Sequence, residues 1–407
     1  MRSSLFILLI LYITTTFSQV EIKGTVYDKN GVLEGAAVYF NNTMLGTSTN
    51  NKGEFSIKTK KGNYNLVVSF LGYKKIVYNL NTSSYIKPLV FVLEEETNTL
   101  KEIIIKKTVY DQTWKYNLST FKREFIGTTE LAKDCEILNE KTLYFDFDAK
   151  KNLLTAFARA PLKIKHKGLG YLITYDLEEF IIYNNRVTYL GYSRYQNLKG
   201  SKRKQRKWTK KRATAYYGSV QHFLQSLVKN TTYKDGFIIN QFKRVANAER
   251  PSEIKIKKAR EFIKLNRNKI NFSKKITIPK TPLDSALIVV RKVRLPKFKD
   301  YLYESKVPVK NIIAIKNGKN YLNFKNNISV VYTKELEEKN YILRNAFSKK
   351  RKPLPQTSSI IPINFPSEMD KNGYLINPLD IFFEGYWAYE KFANSLPLDY
   401  SPVGNSQ

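Results

Sequence analysis

The sequence predicts a mainly β protein with some α. An N-terminal seven-stranded antiparallel β-sandwich is followed by a larger, strand-rich α+β region. Three observations carry this. About seven short segments of period-two alternation, separated by tight turns, fill the chain from Val20 to about Glu95 without a helical interruption. Beyond residue 108 similar strands recur, now mixed with segments whose apolar residues repeat at helical spacing. The 407-residue length gives two or three domains as the expectation.

The first eighteen residues stand apart. MRSSLFILLILYITTTFS has one basic residue, an apolar run from Leu5 to Ile13, and small polar residues before Gln19. That is the order of a secretory signal, cut near Ser18, and the apolar run is too short to span a bilayer. An exported protein is therefore expected, placed in the periplasm, at the outer membrane or outside the cell. A lipid-anchored bacterial export signal would need a cysteine where Gln19 stands. The lone cysteine, Cys135, allows no intramolecular disulfide; Asp134 and Glu136 beside it disfavour the thiolate, so it is read as a packing residue.

After the cut, VEIKGTVYD is a strand, DKNG a turn, and GAAVYF and MLGTSTN two more strands. NNKG turns the chain again, then EFSIKT, NYNLVVSFLGY, KKIVYNL and LVFVLEEE follow. Tight turns between short strands argue for a sandwich. The run from Gly24 to Leu93 resembles the carboxypeptidase regulatory-like domain, a transthyretin-like sandwich. Gly24, Val26, Asp28, Gly31, Gly35, Ala36 and Val38 carry the likeness, as do Gly46, Thr47, Thr49, Gly53 and Phe55, then Gly62, Tyr64, Leu66, Gly72 and Tyr73. Two turns depart from the pattern: no proline precedes Gly35, and Asn50 stands where Asp is usual.

The resemblance does not imply peptidase chemistry. A zinc peptidase needs two histidines and a carboxylate on the metal. The chain has only His166 and His222, and neither opens an H-x-x-E. No metal ligand set and no cofactor-binding motif is expected. The same sandwich heads TonB-dependent receptors, and TNTLKEIIIKK (97–107) resembles the strand that follows it there. A receptor barrel would need far more chain, long strands with a lipid-facing stripe, and an aromatic last strand in place of PVGNSQ. The expected division is 1–18 signal peptide, 19–95 sandwich, 96–108 linker strand, and 109–407 an uncharacterised basic α+β region.

That last region opens on a helix with Trp114, Leu118, Phe121 and Phe125 on one face. TLYFDFD, NLLTAFA, PLKIKH, GYLITYDL, EEFIIYN and RVTYLGYSRY read as strands, with a turn at Asn184-Asn185. Asp146 and Asp148 face solvent together and are too few for a calcium loop. AYYGSVQHFLQSLVKN is the clearest amphipathic helix, and FIINQFKRV a strand. His222 lies beside the apolar stripe of that helix, with Ser219 and Ser226 a turn away; a catalytic Ser–His pair would need an orienting acid that no local motif supplies. Residues 251–270 fit either helix or strand. Asn317-Gly318 predicts a hairpin, NNISVVYTKEL a third strand beside it, and KKRKPLPQTSS a loop. Tyr386, Tyr389, Lys391 and Phe392 suggest a short helix that ends at Pro397, whose aromatics cap a core or, as the alternative, bind sugar. FKREFIG, CEILN, LGYLITYDLEEF, AYYGSVQHFLQSL and GYWAYEKFANSLPLDY resemble an uncharacterised extension that accompanies this sandwich in exported bacterial proteins. That resemblance implies no catalytic residues.

Charge supplies the one candidate binding site. The net charge is +34, of which about +29 falls after residue 107. SKRKQRKWTKKR holds eight basic residues in twelve: Lys202, Arg203, Lys204, Arg206, Lys207, Lys210, Lys211 and Arg212. It reads either as an anion-binding patch, with Trp208 available to stack on a sugar or base, or as a solvated loop leading into the next helix. Export makes an envelope protein, a glycan or an anionic membrane surface the expected partner, and nucleic acid the least expected. Three functions remain open: a non-enzymatic envelope binding or assembly protein using the sandwich, an envelope enzyme acting on glycan or peptide through an unlocated carboxylate site, and an electrostatic tether to an anionic envelope surface.

Overall fold

The computed structural model describes residues 19–96, 108–184, 186–270, 276–344 and 351–402. Residues 1–18, where a signal peptide is expected, nearly all of 96–108, where a linker strand is expected, Asn185 and the end after residue 402 lie outside the described residues.

The sandwich has two four-stranded sheets. In one, Val20–Asp28 pairs with Glu54–Thr59, with the two-residue strand Gly31–Val32, and with Leu89–Val92. In the other the order is Gly46–Ser48, Ala37–Phe40, Asn63–Ser69, Ile76–Asn81, all antiparallel. Inward positions alternate strictly in Glu54–Thr59, as the period-two pattern requires. Ile22, Val26, Val38, Phe40, Phe55, Ile57, Leu66, Val68 and Phe91 fill the space between the sheets. Two details differ from expectation. The DKNG turn closes a pair too short to read as a strand, and the last strand runs parallel to the first, which no alternation pattern encodes.

In the basic region, Asp111 caps the helix Gln112–Phe125 by accepting from the Trp114 N–H at 2.8 Å. That helix buries Leu118, Phe121 and Phe125 against a six-stranded sheet. The segments GYLITYDL and EEFIIYN form one strand, Tyr171–Tyr183, with a bulge between Leu177 and Glu179 that mimics a break. A second body combines the helix Val220–Val228 with a five-stranded sheet and a three-stranded one. Asn327–Leu336 does not extend the Asn317-Gly318 hairpin; it lies between Phe237–Ala246 and Pro355–Pro362 in the larger sheet. The expected loop KKRKPLPQTSS is corrected in its second half: residues 351–354 have no regular structure, but Pro355–Pro362 is an interior strand, and Lys349 and Lys350 lie outside the described residues. Its inward polar residues hid it, and both are satisfied. Ser358 Oγ accepts from Trp387 N at 3.0 Å, and Gln356 donates to Glu335 at 3.2 Å. The ambiguous 251–270 segment is the helix Glu253–Leu265, capped by Ser252.

The C-terminal segment joins the two bodies. Trp387 packs into the second core, whereas Phe392, Ala393 and Leu396 pack into the first. The sandwich docks through its Asn41–Met44 turn. Thr43 forms a parallel bridge with Arg194, Asn42 N donates to Ser193 O at 2.8 Å, and Leu398 N donates to Asn42 O at 2.7 Å. Lys75 adds ion pairs to Asp176, at 2.7 Å, and to Glu178.

Candidate anion-binding groove

The basic run is not a loop. Lys202–Tyr216 is an α-helix, capped by Ser201, whose side chain accepts from Lys204 N. Lys, Arg and Gln are strong helix formers, and the first turn holds no β-branched residue or glycine. One side is fastened down. Trp208 Nε1 donates to Lys167 O at 2.8 Å, and its ring lies against Gly170 and Gly200, so it is a structural anchor and not a free stacking platform. Arg212 donates to Leu169 O at 2.7 Å and to Asn197 Oδ1 at 2.9 Å, with its guanidinium 3.8 Å from the centre of the Tyr171 ring. Lys211 pairs with Asp134, and Ala215 and Tyr216 are buried.

The opposite side is bare. At about 100° per residue, Lys202, Arg206, Lys210, Arg203 and Lys207 fall within an arc of roughly 140°. None of these five, nor Lys204, has an acidic partner among the described residues, and the helix contains no acid. Lys202, Gln205, Arg206, Thr209, Lys210 and Ala213, with Tyr217 at the end of the same helix and Pro402 from the C-terminal tail, line a wide-open surface groove of about 620 Å³. Of the eight nominated residues, three line the groove (Lys202, Arg206, Lys210), Arg203 and Lys207 continue its charged rim, Lys204 is exposed outside the arc, and Lys211 and Arg212 hold the helix in place. Gln205 and Thr209 were legible from their i, i+4 spacing once the segment was helical. Pro402 was not, because it comes from the far end of the chain.

The other nominated residues are structural. His222 Nδ1 accepts from Gly218 N at 3.1 Å, and Nε2 lies 3.8 Å from Asp235, an acid the sequence reading did not assign. Burial pushes this imidazole down to about 4. Neither nearby serine completes a triad: Ser219 is the helix cap and donates to Tyr216 O, and Ser226 donates to Phe223 O. His166 is fully buried between the Leu169 N–H and Ala393 O. Burial and Asp134 raise the Cys135 thiol to about 12. Asp148 is occupied in a turn with the Lys150 and Lys151 N–H groups. Among the described residues no group of three His, Cys, Asp or Glu side chains is placed to hold a metal ion.

One pair of carboxyls escaped the sequence reading. Desolvation raises Glu335 to about 7 and, with Glu335 and Glu338 nearby, Glu390 to about 8. Gln356 bonds the first and Asn394 the second. They lie 55 residues apart, so spacing carried no signal.

No curated protein matches the chain. Residues 22–105 match the model of the CarboxypepD_reg-like domain, so the two-sheet sandwich is the part of the chain similar to that family.

Proposed function

We propose that this is an exported, non-enzymatic binding protein of the cell envelope that holds an anionic partner along the cationic side of the Lys202–Tyr216 helix. The signal-like residues 1–18 support export. The observation that carries the binding role is the arc of five cations without acidic partners, three of them on one groove wall. Like charges this close repel, and an anionic ligand removes that cost. The sandwich contributes a rigid mount, docked through Asn41–Met44.

The test is retention of the purified protein on an anionic resin and on isolated envelope fractions across a salt series. Replacing Lys202, Arg206 and Lys210 by Gln is expected to lower the salt needed for elution and to leave the melting curve unchanged. Each engaged cation steepens the dependence of log affinity on log salt by somewhat less than one. Retention equal to wild type would remove the groove from the account. A second reading, an enzyme acting on glycan or peptide, draws its support from Glu335 and Glu390, whose raised carboxyls suit acid–base work. Its test is loss of glycan or peptide hydrolysis in Glu335→Gln and Glu390→Gln, starting from measurable turnover by wild type.

A further inference from the structure

The insertion between the strands Phe237–Ala246 and Phe298–Glu304 carries a second cationic surface, chemically unlike the groove. Its helices Glu253–Leu265 and Pro282–Lys292 pack against each other, and no described residue of either belongs to the three hydrophobic cores. The first helix buries Ile256 and Ala259. Three of its large apolar side chains are left outside: Ile254 is 70% exposed, Phe262 39% and Leu265 84%. At about 100° per residue these three fall, with Lys258, within an arc of roughly 80°, and the middle of that arc lies about 160° from Ile256. The arc extends roughly 16 Å along the helix axis. Lys255 flanks it on one side, Lys257 and Lys264 on the other. None of these four lysines has an acidic partner among the described residues. Glu253 is held by Arg250 and Lys297, so Glu261 is the helix's remaining acid.

The mixture of apolar and cationic side chains decides between occupants. A soluble polyanion gains nothing from Ile254, Phe262 and Leu265. A second copy would set lysines against lysines. A protein partner would bury Lys258 in the middle of its contact, where lysine is depleted because its ammonium loses water. A bilayer satisfies all of these side chains at once. Its acyl boundary takes the apolar groups, anionic headgroups take the lysines, and Lys258 reaches the headgroups along its flexible stem.

We infer that the outward side of the Glu253–Leu265 helix lies in the surface of an anionic lipid bilayer, with Ile254, Phe262 and Leu265 at the acyl boundary and Lys255, Lys257, Lys258 and Lys264 on lipid phosphates. This surface is separate from the groove and does not rest on the role proposed for it.

The experiment uses the protein purified after export and three probes: mixed phosphatidylglycerol–phosphatidylcholine vesicles, phosphatidylcholine vesicles, and inorganic polyphosphate. Partition onto the mixed vesicles is expected to exceed that onto phosphatidylcholine at least tenfold. Ile254→Gln with Leu265→Gln should lower partition onto the mixed vesicles at least tenfold, and leave polyphosphate binding and the melting curve unchanged. Gln at Lys255, Lys257, Lys258 and Lys264 should lower it too, with a shallower salt dependence. The apolar pair should have the same effect in a protein that also carries Gln at Lys202, Arg206 and Lys210. In Phe262→Trp, lipids brominated in their acyl chains should quench the added emission, a readout that needs no loss of binding and decides alone if the double variant does not fold. Absence of quenching, or unchanged partition of the folded double variant, leaves only electrostatic adsorption and overturns the inference. Vesicle binding lost through the groove substitutions alone, or a dimer that depends on Leu265, overturns it as well. Each of these results leaves the groove proposal standing; that proposal fails separately, if the groove substitutions do not weaken polyphosphate binding.

Discussion

Gly170 offers a direct test of how the cationic helix is seated. Its φ is +71°, and a Cβ built there would lie 2.2 Å from Cδ2 and 2.6 Å from Cγ and Cε3 of Trp208. Gly318 makes a matched control, with φ +72° and nothing within 4 Å of the same added atom. Gly318→Ala therefore carries only the left-handed backbone cost, roughly 1–2 kcal/mol. Gly170→Ala carries that cost plus overpacking of roughly 1–3 kcal/mol. If Trp208 swings away, its bond to Lys167 O is lost as well, about 1 kcal/mol more. The expected total is about 2–5 kcal/mol, or about 3–6 kcal/mol with that bond lost, against about 1–2 kcal/mol for Gly318→Ala. Urea unfolding at constant m-value reads the difference, and tryptophan emission reports whether Trp208 has become more exposed. The Gly170 variant should also lose affinity for an anionic polymer, because the groove wall is built on the helix that Trp208 anchors. Equal midpoints for the two variants, with unchanged emission, would refute the seating described above.

Three further outcomes are expected. Glu390 has a folded-state carboxyl raised to about 8, so the native state holds its proton where the unfolded chain releases it. Its stabilising contribution is full below about pH 4.5 and is lost as pH rises to 8; the stability of wild type relative to Glu390→Gln should fall across that range, and a flat difference would contradict the burial of this group against Glu335 and Glu338. Cys135, with its thiol near 12, should resist iodoacetamide at pH 8 in the native protein and react on unfolding; fast native labelling would contradict its burial. Metal analysis of the purified protein should find no stoichiometric zinc or calcium, and chelator should leave the melting curve unchanged, since no ligand set occurs among the described residues.

Local chemistry made much of this fold legible. The alternation in Glu54–Thr59, the stripe in Val220–Val228 and the Asn317-Gly318 turn each decide an element from a few neighbouring residues. What escaped depends on partners distant in sequence. Pro355–Pro362 became an interior strand because Trp387, Glu335 and flanking strands satisfy its polar groups. Asn327–Leu336 looked like the neighbour of the preceding hairpin, yet it pairs with a strand some 90 residues earlier. The basic run looked like a loop because repulsion between its cations suggested no ordered partner. Its helix is decided by intrinsic propensity and by Trp208 and Arg212 on the reverse face, neither of which a charge count weighs.

The same structure explains why a sandwich without recognisable binding chemistry belongs beside the groove. Asn197 accepts from Arg212 on the cationic helix, and its own amide donates to the sulfur of Met44 in the sandwich turn at 3.6 Å. Leu398 and Asp399 bond that turn as well, and Pro402, three residues further on, lines the groove. The strand Arg186–Asn197 and the C-terminal tail are therefore each clamped between sandwich and helix. A groove residue contributed by a tail of few residues gains little rigidity from its own packing, and backbone bonds at Asn42 and Met44 supply what the tail lacks. On this account the sandwich acts on the ligand indirectly, by fixing the tail that brings Pro402 to the groove.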